Sequence, residues 1–253
     1  MNQNITIHNL HIFYRLSDAG ENKERLYIIN NKNCLENFLM EFPSEYIEII
    51  ADNVKDETIK WLDTYNFKCI HRTSLGNSGS FWFTFNLAMK LPNNDYVYFV
   101  ENDYIHKPNS MRVLLEGLEI ADYVTLYDHP DKYIEGVNPQ VKNGGENSKV
   151  FLTNSSHWKL TNSTTMTYAS KVATLKSDSF IFKLFTVGVI KNGMPFFKRF
   201  QERKFPADYQ IFRFLTKIKS RHVVSPIPGF ATHGEKRYLA PLVNWEQYID
   251  LGM

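Results

Sequence analysis

The chain has 253 residues with 29 basic and 27 acidic side chains, so its formal net charge is only +2. The two signs are interspersed, unlike the clustered basic charge of a nucleic-acid-binding domain, and no stretch approaches the roughly 20 apolar residues of a transmembrane helix. The N-terminal residues lack the basic segment and apolar core of a signal peptide, so we expect a cytoplasmic protein. Cys34 and Cys69 are spaced like neither a zinc site nor a disulfide framework, and we expect both to be reduced thiols of the core.

Strands and helices are predicted to alternate through the first half of the chain. The predicted strands cover residues 10–16, 46–50, 67–71, 96–100 and 123–127, and the helices cover residues 33–41, 56–65 and 81–91. This alternation favours right-handed βαβ units and an α/β fold with a mostly parallel central sheet flanked by helices. Residues 96–100 (YVYFV) are apolar throughout, which favours a central strand covered on both faces.

The second half of the sequence is less regular. Residues 153–173 are rich in serine and threonine and predict a β-hairpin, in which Trp158 and the hydroxyls after it either line an acceptor pocket or belong to an ordinary two-stranded excursion. Two helices, around 177–185 and 207–218, and a strand over 223–226 follow. We find no internal repeat and no linker, and expect a single domain over residues 1–253.

Polar residues that follow predicted strands are candidate ligand contacts, because parallel sheets bind ligands beyond the carboxyl ends of their strands. These residues are Ser17, Asp18, Asp52, Asn53, Arg72 and 101–103. Glu101 and Asp103 are two positions apart in an extended segment and point the same way. With the oxygens of a diphosphate they form a ligand set for Mg²⁺ or Mn²⁺. A polar turn that simply ends the strand is the alternative.

Three segments together resemble glycosyltransferase family 2. Residues 49–58 (IIADNVKDET) resemble the family's strand, Asp-Asn turn and following helix, and residues 72–79 (RTSLGNSG) resemble its Asn-x-Gly-rich loop. Glu101-Asn102-Asp103 is similar to its Asp-x-Asp metal motif. The resemblance implies a single GT-A domain, with a nucleotide-sugar-binding half over residues 1–130 and an acceptor-binding half over 131–253.

The same resemblance implies roles for individual residues. Asp52 would accept the N3–H of a uracil or thymine base, which favours a UDP- or dTDP-linked donor. Asp103 would bind Mn²⁺ or Mg²⁺ directly, and Glu101 would contact the ribose or a metal-bound water. The chain departs from the family at Val54-Lys55 and at Tyr104, which leaves the donor geometry open. Further nucleotide contacts are expected from Ser17, Arg72, Asn77 and Asn102.

The second half contributes candidates for the base and for the metal site. Residues 205–213 (FPADYQIFR) resemble the family's helix start that carries the catalytic base, and Asp208 takes that position. An ordinary helix N-cap is the alternative, and Asp178 is the other candidate base. We expect the helix end to lower the pKa of Asp208. His233 is either a further metal ligand or a surface histidine, and Lys236 is a candidate to neutralise the departing diphosphate.

The implied reaction is transfer of a sugar to a hydroxyl of a glycan or other acceptor, with inversion. Metal-held phosphates would stabilise the leaving charge while a carboxylate takes the acceptor proton. A nucleotidyltransferase is one alternative, although it calls for a glycine-rich, basic loop where residues 16–20 are LSDAG. A silent carbohydrate- or nucleotide-binding module is the other, consistent with Glu101 and Ala207 at positions where the family has aspartate and another acid.

Overall fold

The computed structural model describes residues 7–19, 24–138, 141–143, 145–187 and 206–249. The strands are β1 (Leu10–Leu16), β2 (Ile47–Asp52), β3 (Cys69–Thr73), β4 (Tyr96–Glu101), β5 (Tyr104–His106), β6 (Tyr123–Val124), β7 (Val150–Leu152), β8 (His157–Leu160), β9 (Tyr168–Lys171), β10 (Val223–Ile227) and β11 (Ala231–His233). The helices are α1 (Asn31–Leu39), α2 (Asp56–Leu62), α3 (Gly76–Ala88), α4 (Ser110–Ile120), α5 (Val172–Thr186) and α6 (Asp208–Lys217).

Nine strands form one sheet in the order β3-β2-β1-β4-β9-β6-β10-β8-β7. The first four are parallel to their neighbours, and their order is that of a Rossmann-like, doubly wound sheet. β9 runs antiparallel to β4 and β6, and β5 pairs with β11 in a separate two-stranded sheet. The predicted α/β class is confirmed, and the parallel strands are gathered in the N-terminal half.

Helices cover both faces of this sheet, as the apolar strand β4 requires. On one face, α3, α5 and α6 pack in a cluster that includes Phe99 and Phe182. On the other face, α1, α2 and α4 pack in a cluster that includes Tyr98 and Phe38. Because neighbouring residues of a strand point to opposite faces, Tyr98 and Phe99 serve different cores.

Two parts of the structure, one in each half of the chain, differ from the prediction. The hairpin predicted over 153–173 is wrong, because β8 pairs with β7 and β10, whereas β9 lies between β4 and β6. Trp158 on β8 is fully buried and its indole N–H donates to the Thr153 hydroxyl at 2.9 Å, so it is a core residue and not an acceptor contact. The helix α4 is absent from the sequence prediction.

The cysteines share a redox state but not a location. Both thiols are free, and Cys34 is buried in α1 as predicted. Cys69 is exposed because β3 is the edge strand of the sheet, so its assignment to the core is wrong. Within the described ranges, no helix has the length and apolar character needed to cross a bilayer.

Gly117 allows α4 to lie directly against the sheet. A Cβ atom at this position would be 2.6 Å from Trp158 and 2.7 Å from Val124. We expect Gly117→Ala to lower the free energy of unfolding by about 1–3 kcal/mol, because overpacking outweighs the gain of about 1 kcal/mol in helix propensity. Chemical denaturation measures the change. Gly145→Ala is the control, since its added Cβ meets no atom within 4 Å; equal stability of the two variants would contradict the close contact.

Candidate active site

A cavity of about 910 Å³ opens at the carboxyl ends of β1, β2 and β4. The strand order reverses between β1 and β4, which is where doubly wound sheets bind ligands. The first turn of α3, the end of α5, the start of α6 and the end of β11 complete the wall. Nine residues nominated from the sequence line this cavity: Ser17, Asp52, Asn53, Asn77, Glu101, Asn102, Asp103, Asp208 and His233.

Two nominated cations lie outside the cavity wall. Arg72 on the edge strand β3 is exposed and forms an ion pair with Asp56 of α2. Lys236 is also exposed, and its Nζ lies 3.0 Å from Oε1 of Glu24. The structure therefore does not bring either residue to the other candidates.

Asp178, the alternative catalytic base, is also outside the cavity. Its side chain in α5 is fully buried. Lys219 and Arg221 form ion pairs with its carboxylate, and the Tyr123 hydroxyl donates to it at 2.7 Å. These contacts give Asp178 the role of a buried counter-charge.

Arg15 and Glu101 form an ion pair at the point where the strand order reverses. They are register partners on β1 and β4, and Nη1 of Arg15 lies 3.3 Å from Oε1 of Glu101. Nη2 of Arg15 donates to the Asn77 side chain at 2.8 Å and to its carbonyl at 3.1 Å. Only 8% of Arg15 is exposed, and within the described residues its Nε and Nη1 have no hydrogen-bond acceptor. The pair ties two strands to α3 at the cavity wall.

Ser17 and Asn102 are tied to each other beside this pair. The carbonyl of Ser17 accepts hydrogen bonds from the side chains of Asn102, at 3.3 Å, and Asn31, at 3.1 Å. Asn102 also donates to the Asn31 side chain. These contacts fix the segment after β1 against the segment after β4.

Asp103 is held by an arginine and a histidine. Its Oδ2 lies 3.1 Å from Nη2 of Arg25 and 3.2 Å from Nε2 of His233. The β5–β11 pairing places His233 opposite Tyr104, the residue after Asp103. Nδ1 of His233 accepts the backbone N–H of Glu235 at 3.2 Å. A neutral His233 with this hydrogen bond carries its proton on Nε2, facing Asp103.

The charge of Glu101 depends on the same neighbours. Burial raises the pKa of Glu101, Arg15 opposes this rise, and Asp103 adds to it. Because neighbouring carboxylates repel each other when both are ionised, a positive charge bound beside them is favourable.

The carboxylates of this cluster suit a divalent cation only in part. In the part of the chain that the structure describes, no group of three or more His, Cys, Asp or Glu side chains is arranged to hold a metal ion. Mg²⁺ is commonly bound by one or two carboxylates together with substrate phosphates. Asp103 and Glu101 therefore fit a cation that arrives with a diphosphate and replaces Arg25 at Asp103. His233 fits as a ligand only with its proton moved to Nδ1, which the Glu235 N–H opposes.

The carboxylate of Asp52 is already surrounded by donors of the chain. Its Oδ1 accepts from the Thr73 hydroxyl at 2.8 Å and the Leu75 N–H at 2.6 Å. Its Oδ2 accepts from the Gly76 N–H at 3.0 Å and the Asn53 amide at 2.8 Å. A carboxylate has about four lone-pair sites, so this geometry leaves none for the N3–H of a base. Asp52 instead fastens the start of α3 to β2.

Asp208 is the first residue of α6, and its carboxylate is held by the loop that precedes β9. It accepts from the Thr164 hydroxyl at 2.7 Å and from the N–H groups of Thr165 at 3.0 Å and Met166 at 3.3 Å. Burial raises the pKa of Asp208, which these hydrogen bonds oppose. The expected lowering by the helix end is therefore wrong in direction. The raised pKa makes this carboxylate a stronger base.

The sequence analysis missed two residues of the site, Arg15 and Arg25. Arg15 had a signal, because it is an arginine near the carboxyl end of a strand (LHIFYRL) whose other residues are mostly apolar. Arg25 had none, since it reaches Asp103 from an irregular segment whose sequence shows no period.

No family model and no curated protein matches the chain. Among solved structures, TarS residues 1–349 from S. aureus share 13% identity at a TM-score of 0.47, covering 90% of this chain and 59% of that one. The galactosyltransferase LgtC, in complex with donor and acceptor sugar analogs, shares 10% identity at 0.47, covering 81% and 70%. The Francisella tularensis 2-C-methyl-D-erythritol 4-phosphate cytidylyltransferase shares 12% identity at 0.47, covering 95% and 96%. At these TM-scores the likenesses do not choose between sugar transfer and nucleotidyl transfer.

The hydrogen bonds of Asp52 predict a structural effect of its removal. We expect Asp52→Ala to lower the free energy of unfolding by about 2–4 kcal/mol, because two backbone N–H groups and two side chains lose a charged acceptor. Thermal or chemical denaturation measures this loss, and Asp63→Ala, on the exposed end of α2, is the control. If the Asp52→Ala protein kept its normal stability but no longer distinguished uracil from adenine nucleotides, Asp52 would instead recognise the base.

Proposed function

We propose that the chain is a glycosyltransferase of the GT-A type, which transfers a sugar from a nucleoside diphosphate sugar to an acceptor hydroxyl with inversion. The observation that carries this proposal is one cavity, at the reversal of strand order, that gathers Glu101, Asp103 and Asp208 with Arg15 and Arg25. Carboxylates for a cation and a base, beside guanidinium groups for phosphate, are the components that displacement of a diphosphate needs.

The arginines account for binding of the diphosphate. Arg15 lines the cavity beside Glu101. A guanidinium binds phosphate through parallel N–H···O bonds, so an arginine at this position favours a phosphate group in the cavity. An incoming cation would replace Arg25 at Asp103, and the released guanidinium would then be able to bind the phosphate oxygens as well.

Asp103 and Glu101 would hold Mn²⁺ or Mg²⁺ together with the diphosphate. When bound, the cation supplies positive charge that stabilises the departing diphosphate. Asp103 is the main protein ligand in this proposal, because Glu101 keeps its partner Arg15 on the neighbouring strand.

Asp208 acts as the base that takes the proton of the acceptor hydroxyl. It lines the same cavity as Glu101 and lies close enough to raise the pKa of Glu101. Its own raised pKa favours proton transfer. A preference for UDP- or dTDP-linked donors stays a prediction from the family resemblance alone, since Asp52 is otherwise engaged.

A ligand screen followed by product analysis tests the proposed function. Nucleotides and nucleotide sugars with Mn²⁺ are screened for a rise in the melting temperature, which a ligand of the folded state must produce. A glycosyltransferase then releases nucleoside diphosphate from the donor and attaches the sugar to an acceptor. Binding without release would identify a silent module, and pyrophosphate release from a nucleoside triphosphate and a sugar phosphate would identify a nucleotidyltransferase.

Asp103→Asn tests the cation. We expect turnover at saturating donor to fall by about 10²-fold or more, because loss of one charged ligand weakens the stabilisation of the leaving group. Calorimetry with a nucleoside diphosphate and Mn²⁺ separates binding from turnover, and Asp63→Asn on the surface is the control. A wild-type rate in Asp103→Asn would remove Asp103 from the metal site.

Asp208→Asn tests the base. We expect kcat to fall by about 10²–10⁴-fold with donor binding unchanged, because only the basic site is removed. The wild-type rate should fall with decreasing pH through a pKa higher than that of an exposed aspartate, since Asp208 must be unprotonated. The matched variant Asp178→Asn should lose stability but keep its kcat. The opposite pattern, with kcat lost only in Asp178→Asn, would move the role to Asp178.

A further inference from the structure

The helix layer formed by α3, α5 and α6 is basic on its outer side. These three helices contain only two acidic residues, Asp178 and Asp208. Asp208 lines the cavity, and Asp178 is buried and forms ion pairs with Lys219 and Arg221. The helices carry four basic residues, Lys176, Lys183, Arg213 and Lys217. The turns after α3 and α6 add Lys90, Lys219 and Arg221, together with the acidic residue Asp95. We call this surface the basic layer.

The opposite helix layer has the reverse balance. α1, α2 and α4 carry the five acidic residues Glu36, Asp56, Glu57, Glu116 and Glu119 against the three basic residues Lys32, Lys60 and Arg112. The chain as a whole has a net charge of only +2. The basic layer is thus a concentration of charge on one side of the sheet and not a property of the whole surface.

Large apolar side chains lie exposed among these cations. Phe180 in α5 is 63% exposed, and Ile218 at the end of α6 is 67% exposed. A groove between α3 and α5, of about 520 Å³, is lined by aromatic and apolar side chains together with lysines: Trp82, Phe85, Met89, Phe180, Lys176 and Lys183. Exposed apolar side chains surrounded by lysines and arginines make this surface amphipathic.

We propose that the basic layer docks on the surface of an anionic lipid bilayer. Basic residues near such a surface are attracted to its negative charge, and aromatic side chains enter the boundary between headgroups and acyl chains. A single-stranded nucleic acid would use the charge and would stack a base on Phe180, but it would leave the aliphatic Ile218 without a hydrophobic partner. Two helices of this layer also reach the cavity, since Thr186, the last residue of α5, and Asp208, the first residue of α6, both line it. The docked face therefore adjoins the candidate site. This inference does not depend on the proposed reaction.

Vesicle co-sedimentation tests the charge. The intact chain is mixed with vesicles of phosphatidylcholine, alone or with phosphatidylglycerol, and only the anionic vesicles should retain it. The double variant Lys90→Gln/Lys183→Gln should partition about tenfold less, because each basic residue near the surface contributes separately. Both lysines are exposed, so folding should be unaffected, as circular dichroism will show. The control Lys32→Gln/Lys60→Gln removes the same charge from the opposite layer and should bind like wild type.

A second pair of variants tests the apolar contribution. Phe180→Ser should weaken binding to anionic vesicles several-fold at high salt, where charge is screened. Met40→Ser, at a residue of the opposite side that is 72% exposed, should not. Equal retention by neutral vesicles, or an equal loss in the Lys32→Gln/Lys60→Gln control, would overturn the proposal. Binding of single-stranded DNA through Lys90 and Lys183, without vesicle binding, would also overturn it and identify a nucleic acid as the partner.

Discussion

The ion pair of Arg15 and Glu101 is the contact on which the candidate site depends. It joins β1 to β4 where the strand order reverses, and through Asn77 it also fixes the start of α3. A buried ion pair adds little net stability compared with well-packed apolar residues, yet removing one partner costs about 3–5 kcal/mol because the other charge stays buried. Stability alone therefore does not explain why an arginine occupies this position. Binding of a ligand by the guanidinium of Arg15 explains it better.

In the proposed reaction, the charges of the cavity would make the binding of cation and diphosphate interdependent. Asp52 needs no counter-ion, because neutral N–H and O–H donors fill its acceptor sites. Asp103 and Glu101 are each matched by one arginine. A diphosphate alone would compete with both carboxylates for those arginines, and a cation alone would have to displace Arg25 from Asp103. When the two arrive together, the cation would bind the carboxylate and the phosphate would bind the arginine. Such coupling would be reciprocal, so each ligand would strengthen the binding of the other.

The sequence predicts the parts of the fold that follow from local pattern. β1 begins and ends as predicted, and polar residues at strand ends do line one cavity, because apolar runs and strand ends can be read directly. The contacts that distinguish a ligand-binding aspartate from a structural one cannot be read in this way. The role of Asp52 depends on the loop that turns the N–H groups of Leu75 and Gly76 towards it. The predicted hairpin fails for a related reason: β8 pairs with β7, just before the predicted segment, and the partners of β9 are the distant strands β4 and β6.

Asp178 shows how the basic layer and the fold are linked. Like charges on neighbouring helices repel, and the segment after α6 brings Lys219 and Arg221 close together. The buried carboxylate of Asp178 contacts both, and the Tyr123 hydroxyl donates to it as well. This arrangement lets the two cations lie close together after α6, because the carboxylate between them cancels one of their charges. The outward charge of the basic layer therefore comes mainly from exposed residues away from Asp178, among them Lys90, Lys183 and Arg213.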